Sequence, residues 1–536
     1  MQIGTYSVVA NFGYRLTTPA GFIFLCMPQS RLMCCVLLVA ISAPLWGYAQ
    51  AAGPVVTTKQ GRIRGIQEGT LRVFRGIPYA QAPVGALRFR PPQPLKKYRG
   101  VMAATRFGSQ ATQTGGPGGV QGSEDCLYLN VWAPALPRNV KRPVVVWVHG
   151  GAFTGGSGQE NDTWTFAAQD TLVAVSINYR LGALGFLQLG NTLGPQYAEA
   201  GNCGLLDATA ALRWVHENIA AFGGDPNRVT VMGESAGAKL IGGLLVTPAA
   251  RPLFQQVILE SGAVQAIRDT ATAADVTRRL LQELHFTDTR TLLTLPAAEL
   301  IRAQAHLTDS TRGLQVFGPV QDGRVIPRAP LEYLRQPGLA PLRVLLGSNL
   351  EEAGLFTGPA SVLHTPSQAA LQQVFGARNS PQVWRAYQQR RQAQPDLTAW
   401  NTTLTDYLYG LATYRLATAL AAQQVPTWLY RFEWSNATLR PTHAQELAFV
   451  WNAPQGTSAA ATVAASGTPS KAADPNLAAQ MHAYWAHFIK TGEPGAAWPQ
   501  YSAPEKPVML FNRHSRAEVI PAPYEDATFP VQGYAR

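Results

Sequence analysis

Gly233-Glu234-Ser235-Ala236-Gly237 is the stretch of this chain whose residue types point most directly to chemistry. A serine hydroxyl is a poor nucleophile unless a base can take its proton, so the chain must hold it on a sharp turn that an imidazole can reach. Glycines on both sides serve that geometry, because larger side chains would clash in so tight a turn. The run Arg228-Val229-Thr230-Val231-Met232 reads as a strand entering the motif and Ala238 to Leu245 as a helix leaving it, with its N-terminus facing the negative charge that develops during attack. Gly-x-Ser-x-Gly is common by chance; the strand-turn-helix setting gives it weight. Acyl transfer also needs backbone N–H donors for a tetrahedral oxyanion, and His149-Gly150-Gly151-Ala152-Phe153 offers small residues after another strand-like run. Alone, that segment reads equally as a turn that merely ends a strand.

The elements that must position these residues follow one rhythm. Val144 to Val148, Leu172 to Ile177, Arg228 to Met232, Gln256 to Leu259, Arg343 to Leu346 and Trp428 to Phe432 are short runs rich in aliphatic residues. Most end at glycine or a polar turn and lead into helix-like stretches. Such runs, apolar on both faces, belong in a parallel sheet covered by helices, so the fold class is α/β. Residues 265–340 and 360–425 change to Ala, Leu, Gln and Arg with helical spacing, as at Val276, Leu280 and Leu284 or Leu404, Leu408 and Leu411. They are expected to form helical excursions over the sheet. Residues 453–476 read as a surface loop and Leu477 to Thr491 as a helix.

The composition fits a folded enzyme: of 536 residues, 46% are hydrophobic and 14% charged, which excludes disorder. Arg31, the apolar run Leu32 to Trp46 and Ala49-Gln50-Ala51 together form the pattern of a secretory signal, too short to span a bilayer. Residues 1–51 are therefore expected to be removed, with Met27 a possible true start, leaving 52–536 as one domain exported to the periplasm or beyond. Losing Arg15 and Arg31 takes the formal charge from +12 to +10. No block of consecutive Lys and Arg occurs, and no nucleic-acid motif is present.

The chain resembles the type-B carboxylesterase and cholinesterase family of α/β-hydrolases, in its bacterial, para-nitrobenzyl-esterase-like form. Phe222-Gly223-Gly224-Asp225-Pro226-Asn227-Arg228 leading into Ser235 matches the family's serine signature. Ser123-Glu124-Asp125-Cys126-Leu127-Tyr128-Leu129-Asn130 matches its second signature. Phe74 to Ala80 with Leu87-Arg88-Phe89 resembles the opening, and Trp485 to Pro499 the close. The resemblance implies an α/β-hydrolase fold: a central, mostly parallel, twisted sheet flanked by helices, with helical excursions over the active site.

In that fold the triad runs Ser, acid, His along the chain. Of the late histidines, His482 and His487 sit in a helical pattern and His514 lies among charged residues, whereas His443 resembles the family's histidine loop, with Ala444 where glycine is usual. Gly347-Ser348-Asn349-Leu350-Glu351-Glu352-Ala353-Gly354 resembles the acid loop, and Glu352 aligns with the catalytic glutamate. Glu351 and Asp322 are the competitors, Asp322 reading better as a turn aspartate. By resemblance, Gly151, Ala152 and Ala236 would donate the oxyanion N–H groups. Glu234 either tunes the site or is a buried structural carboxylate, and Ser261 reads as a packed strand-end serine. Many relatives pair the cysteine of the second signature with an upstream one; Phe107 to Ala111 lacks that partner, so Cys126 is expected to be a free, buried thiol. The same loop lacks the tryptophan with which cholinesterases meet a quaternary ammonium.

These readings imply a small-molecule ester as the partner, no metal or organic cofactor, no nucleic acid and no stable membrane insertion, and they leave the oligomeric state open. Two-step ester hydrolysis is the expected activity. An amidase, or a hydrolase of bulky, anionic polycarboxylate or aromatic esters, is the enzymatic alternative. A non-catalytic adhesion or scaffold protein on the same fold is the alternative of another class, though such proteins commonly lose a triad member and none is missing here.

Overall fold

Strands that are apolar on both faces are stable only where helices cover each face, and the computed structural model of this chain builds such a sheet. It describes residues 53–521 and 529, apart from 117–118, 136–139, 160–162, 309–313, 315, 337–340, 454–471 and 503. The expected leader, 1–51, and most of the loop expected at 453–476 lie outside the described residues.

The main sheet has 11 strands. In chain order they are β1 (Ile66–Glu68), β2 (Leu71–Pro78), β3 (Tyr128–Pro134), β4 (Arg142–Val148), β5 (Val173–Ile177), β6 (Gly224–Glu234), β7 (Gln256–Glu260), β8 (Arg343–Asn349), β9 (Thr427–Phe432), β10 (Pro507–Phe511) and β11 (Arg516–Val519). Across the sheet the order is β11-β10-β9-β8-β7-β6-β4-β5-β3-β2-β1. From β5 to β10 every pairing is parallel, while β1, β2, β3 and β11 pair antiparallel at the two edges. All the runs read as strands in the sequence fall in the parallel part. The outermost strands β1 and β11 escape that reading because they lack a buried residue.

Alternate side chains of β4 show why both faces must be covered. Val144, Val146 and Val148 pack into one core with Leu205, Leu212, Leu240 and Ile241, from helices α1 (Cys203–Asn218) and α2 (Ala236–Leu245). Val145 and Trp147 face a second core with Phe166, Trp485 and Phe488. A third cluster, including Phe375, Trp400 and Tyr409, belongs to the excursions. These contain α3 (Thr270–Glu283) and α4 (Ala297–Thr308), then α5 (Gln368–Arg390), α6 (Asp396–Thr405) and α7 (Leu411–Ala422). Leu408 sits in a π-helical turn, Asp406–Gly410, that joins α6 to α7. Helix α8 (Pro475–Thr491) starts two residues before the sequence reading because Asp474 accepts hydrogen bonds from the Asn476 and Leu477 N–H groups and Pro475 suits the first turn. Among the described residues no helix is long and apolar enough to cross a membrane.

Two buried guanidinium groups tie the loops beneath the sheet's rim. Arg180 donates from Nε and Nη2 to Asp207, each at 2.7 Å, and from Nη1 to the Arg90 carbonyl at 2.8 Å. Arg88 forks onto Glu124 of the second signature and reaches the Leu292 and Leu295 carbonyls of the first excursion. Cys126 and Cys203 are free and buried; burial pushes the Cys203 thiol up to about 12. Removing one partner of a buried pair strands the other charge, which costs about 3–5 kcal/mol. Asp207→Asn should therefore lower unfolding stability by about 3 kcal/mol in a urea titration, whereas an exposed pair such as Lys59–Glu217 should tolerate the same change with almost no effect.

Candidate active site

Ser235 stands between the last residue of β6 and the first of α2, with φ 53° and ψ −119°. This backbone region is sparsely populated for an L-residue and costs on the order of 1–3 kcal/mol, so the surroundings must impose it. They do so from both sides: the Ser235 N–H donates to the Glu260 carbonyl at 2.9 Å, and the Lys239 N–H donates to the Ser235 carbonyl at 2.9 Å. The glycine two residues on is required sterically. A Cβ at Gly237 would lie 2.0 Å from the Val148 carbonyl oxygen, so only glycine lets α2 start this close to β4.

The rim of the parallel strands delivers the other groups. Glu352 begins the 3-10 turn Glu352–Leu355 just past β8, and His443 lies in the loop after β9, the neighbouring strand. His443 Nε2 is 2.8 Å from Ser235 Oγ, and its Nδ1 is 2.5 Å from Glu352 Oε2. The second oxygen of Glu352 accepts the Asn349 N–H at 2.8 Å. Ala353, where relatives were expected to carry glycine, keeps a negative φ and donates its N–H to Thr405 Oγ1 at 3.1 Å. Ala444 instead sits at φ 66°, the region that favours glycine. The competitors take other roles: Glu351 pairs with Arg440 at 2.6 Å, and Asp322 Oδ1 accepts the N–H groups of Arg324, Val325 and Ile326. His482 bonds Asp170 and the Val450 carbonyl, while His487 and His514 are at exposed hydrogen bonds.

Opposite the serine, the loop after β4 runs through positive φ at Gly151 (105°), Ala152 (54°) and Phe153 (61°). Gln113 pins its far end, accepting the Gly156 N–H at 2.8 Å and donating to the Gly156 carbonyl at 3.0 Å. The N–H groups of Gly151, Ala152 and Ala236 make no hydrogen bond among the described residues. His149 is buried, donates from Nδ1 to the Gly150 carbonyl and stacks on Tyr179. Burial pushes its imidazole down to about 4, so it stays neutral.

Around the imidazole lies a group of buried carboxylates that sequence patterns only partly expose. Glu234 Oε1 is 3.1 Å from His443 Nε2. Glu446, one helical turn after His443, accepts from Ser261 Oγ at 3.2 Å and from the Asn349 side chain. Glu260 accepts from Trp485 Nε1 at 2.8 Å. Ser261 is thus a support for Glu446. Burial first, and then mutual repulsion with the neighbouring acids, holds Glu234, Glu260 and Glu446 well above the usual carboxylate range, Glu446 at about 8. Glu446 and Glu260 lack a motif of their own; the signal that could have found Glu446 is an acidic residue three positions after a candidate base. Folded chains keep a proton on Glu446 that unfolded chains, with an ordinary value of 4.5, release between pH 4.5 and 8. Stability therefore falls as pH rises through that window. Glu446→Gln removes the dependence, so the melting temperature of the variant minus that of the parent should grow from pH 5 to pH 8; a constant difference would mean that Glu446 is already ionised at neutral pH.

Residues 52–526 match the model of the carboxylesterase family. The chain is 34% identical over 504 residues to the para-nitrobenzyl esterase of Bacillus subtilis, covering 89% of this chain and 99% of that protein. It is 34% identical to the fumonisin B1 esterase of Sphingopyxis macrogoltabida, covering 87% and 88%. A crystal structure of a Geobacillus stearothermophilus carboxylesterase superposes with TM-score 0.76 at 38% identity, covering 89% of this chain and all of that one. A fold, a hydrogen-bonded serine, imidazole and carboxylate, and relatives matched along almost their whole length agree: the chain belongs to the carboxylesterase family and is a serine hydrolase of carboxylic esters that works through a Ser-His-Glu triad.

Proposed function

We propose that Ser235 is the nucleophile, His443 the general base and acid, and Glu352 the carboxylate that orients the imidazole, with the N–H groups of Gly151, Ala152 and Ala236 receiving the oxyanion. The observation that carries the proposal is the unbroken buried chain from Ser235 Oγ through His443 to Glu352, at 2.8 and 2.5 Å. His443 Nε2 takes the proton as Oγ forms a bond to the ester carbonyl carbon. The imidazolium then gives that proton to the alcohol oxygen as the C–O bond breaks, leaving an acyl-enzyme. Water adds to the acyl carbon with its proton passing to Nε2, and the proton returns to Ser235 as the acid leaves. Glu352 keeps Nδ1 as the donor throughout, so Nε2 always faces the serine.

Glu234 beside Nε2 adds an electrostatic contribution. Burial first, and then the neighbouring acids, raise its carboxyl well above the usual range, which disfavours a second negative charge beside the serine. This supports a tuning role beside a structural one. Neither a non-catalytic scaffold nor an amidase draws support from a specific observation.

Export completes the reading. The charged-apolar-small order of Arg31, Leu32 to Trp46 and Ala49-Gln50-Ala51 supports cleavage after Ala51 and a periplasmic or secreted enzyme. Amino-terminal sequencing of protein recovered from outside the cytoplasm should begin at Ala52, and a product that keeps Met27 would overturn export by this signal.

Ser235→Ala should lose roughly four or more powers of ten in kcat on 4-nitrophenyl butyrate while melting within a few degrees of the parent. An organophosphonate should modify Ser235 in the parent stoichiometrically. Turnover by the alanine variant at the parent's rate would discard the assignment.

A further inference from the structure

Helix α2 reads Ala-Gly-Ala-Lys-Leu-Ile-Gly-Gly-Leu-Leu, and Lys239 is its lone charged residue. Every residue of the helix is buried, Lys239 included at 6% exposed, close to the 7% of Ser235. Its position is adverse on two counts. The ammonium gives up most of its hydration, and a cation in the first turns of a helix opposes the positive end of the helix dipole. Side chains on a helix lean toward its N-terminus, which here is the nucleophile turn. Tyr409 marks where the ammonium ends up: its ring centroid is 4.6 Å from Lys239 Nζ and 4.7 Å from that of His443. Tyr409 thus lies against both Lys239 and the imidazole assigned to catalysis.

Among the described residues Nζ makes no hydrogen bond and no ion pair; it stands over the ring of Tyr409 in a cation–π contact. The carboxylates of Glu234 and Glu352 attract it from a distance, and burial outweighs them, pulling the ammonium down to about 8. A structural lysine buried this deeply would be expected to have an oxygen acceptor. An acceptor that arrives with the substrate accounts for its lack.

We propose that Lys239 is a specificity-determining residue that binds an ionised carboxylate carried by the substrate, so that the preferred esters are hemiesters of di- or polycarboxylic acids or esters of carboxylate-bearing alcohols. The proposal rests on the assignment of Ser235 and His443 as the reacting centre, since it places the second carboxylate one aromatic ring away from the scissile bond. Carboxylates on the acyl half and on the alcohol half would meet Nζ through the same chemistry.

Two substrate pairs separate the halves: mono-4-nitrophenyl glutarate against 4-nitrophenyl butyrate, and 4-acetoxybenzoate against phenyl acetate. For at least one pair, the ratio of kcat/KM for the anionic ester to that for the neutral one should fall at least tenfold in Lys239→Met, mainly through KM, and recover in Lys239→Arg. A ratio unchanged within twofold in both pairs overturns the assignment. Should Lys239→Met fail to fold, the parent still decides: glutarate should compete with 4-nitrophenyl butyrate at least tenfold more tightly than glutaramide, and equal inhibition overturns it. Failure of the parent to turn over 4-nitrophenyl butyrate would instead overturn the ester reading on which the proposal rests.

Discussion

The hydrogen bond between His443 and Glu352 sets the terms for the rest of the molecule. A carboxylate that is to fix an imidazole's tautomer works best away from water, yet burying it unsatisfied would cost several kcal/mol. Glu352 escapes that cost because both its oxygens are used, one by Nδ1 and the other by the Asn349 N–H at the end of β8. The strand end itself supplies the second donor. This is why the acid sits three residues beyond Asn349 and why the strand next to β8 must be the one that leads to the histidine loop.

The same rim carries Ser235, the proposed nucleophile. Glu234 at the end of β6 pairs in register with Glu260, and Glu260 with Gly347 of β8, so the strand ends form a row beneath the site. Concentrating acids there has an electrostatic consequence. Burial and mutual repulsion raise Glu234, Glu260 and Glu446 well above the usual carboxylate range, so ionising all three at once is disfavoured in so dry a space. Lys239 is the one cation on α2 near this group, and it offsets only part of the charge.

Legibility in the sequence followed how local each constraint is. The elbow at Ser235 is written in five consecutive residues, and its glycine at 237 is the local mark of the close approach to Val148 of β4. The parallel strands are legible because burial on two faces demands unbroken apolar runs. His443 and Glu352 needed the family resemblance, because a single histidine or glutamate in a loop has no periodicity to mark it. Glu446, Asn349 and Tyr409 come from a loop, a strand end and a π-helical turn and meet only in space. Lys239 did leave a trace, a lone charge in an apolar helix, but its meaning depends on neighbours from the histidine loop and the π-helical turn at 406–410. The outermost strands β1 and β11, short and without a buried position, have nothing to mark them.

The dihedrals at Ser235 carry an implication for when the protein becomes reactive. A free chain seldom visits φ 53°, ψ −119°, and the bonds that impose it come from β7 and from the first turn of α2. An incompletely assembled sheet therefore holds an ordinary serine, chemically indistinguishable from the others in the chain. With Ser235 as the proposed nucleophile, hydrolysis requires this turn to be formed, which makes activity itself a reporter of finished assembly and leaves misfolded molecules inert toward the esters around them.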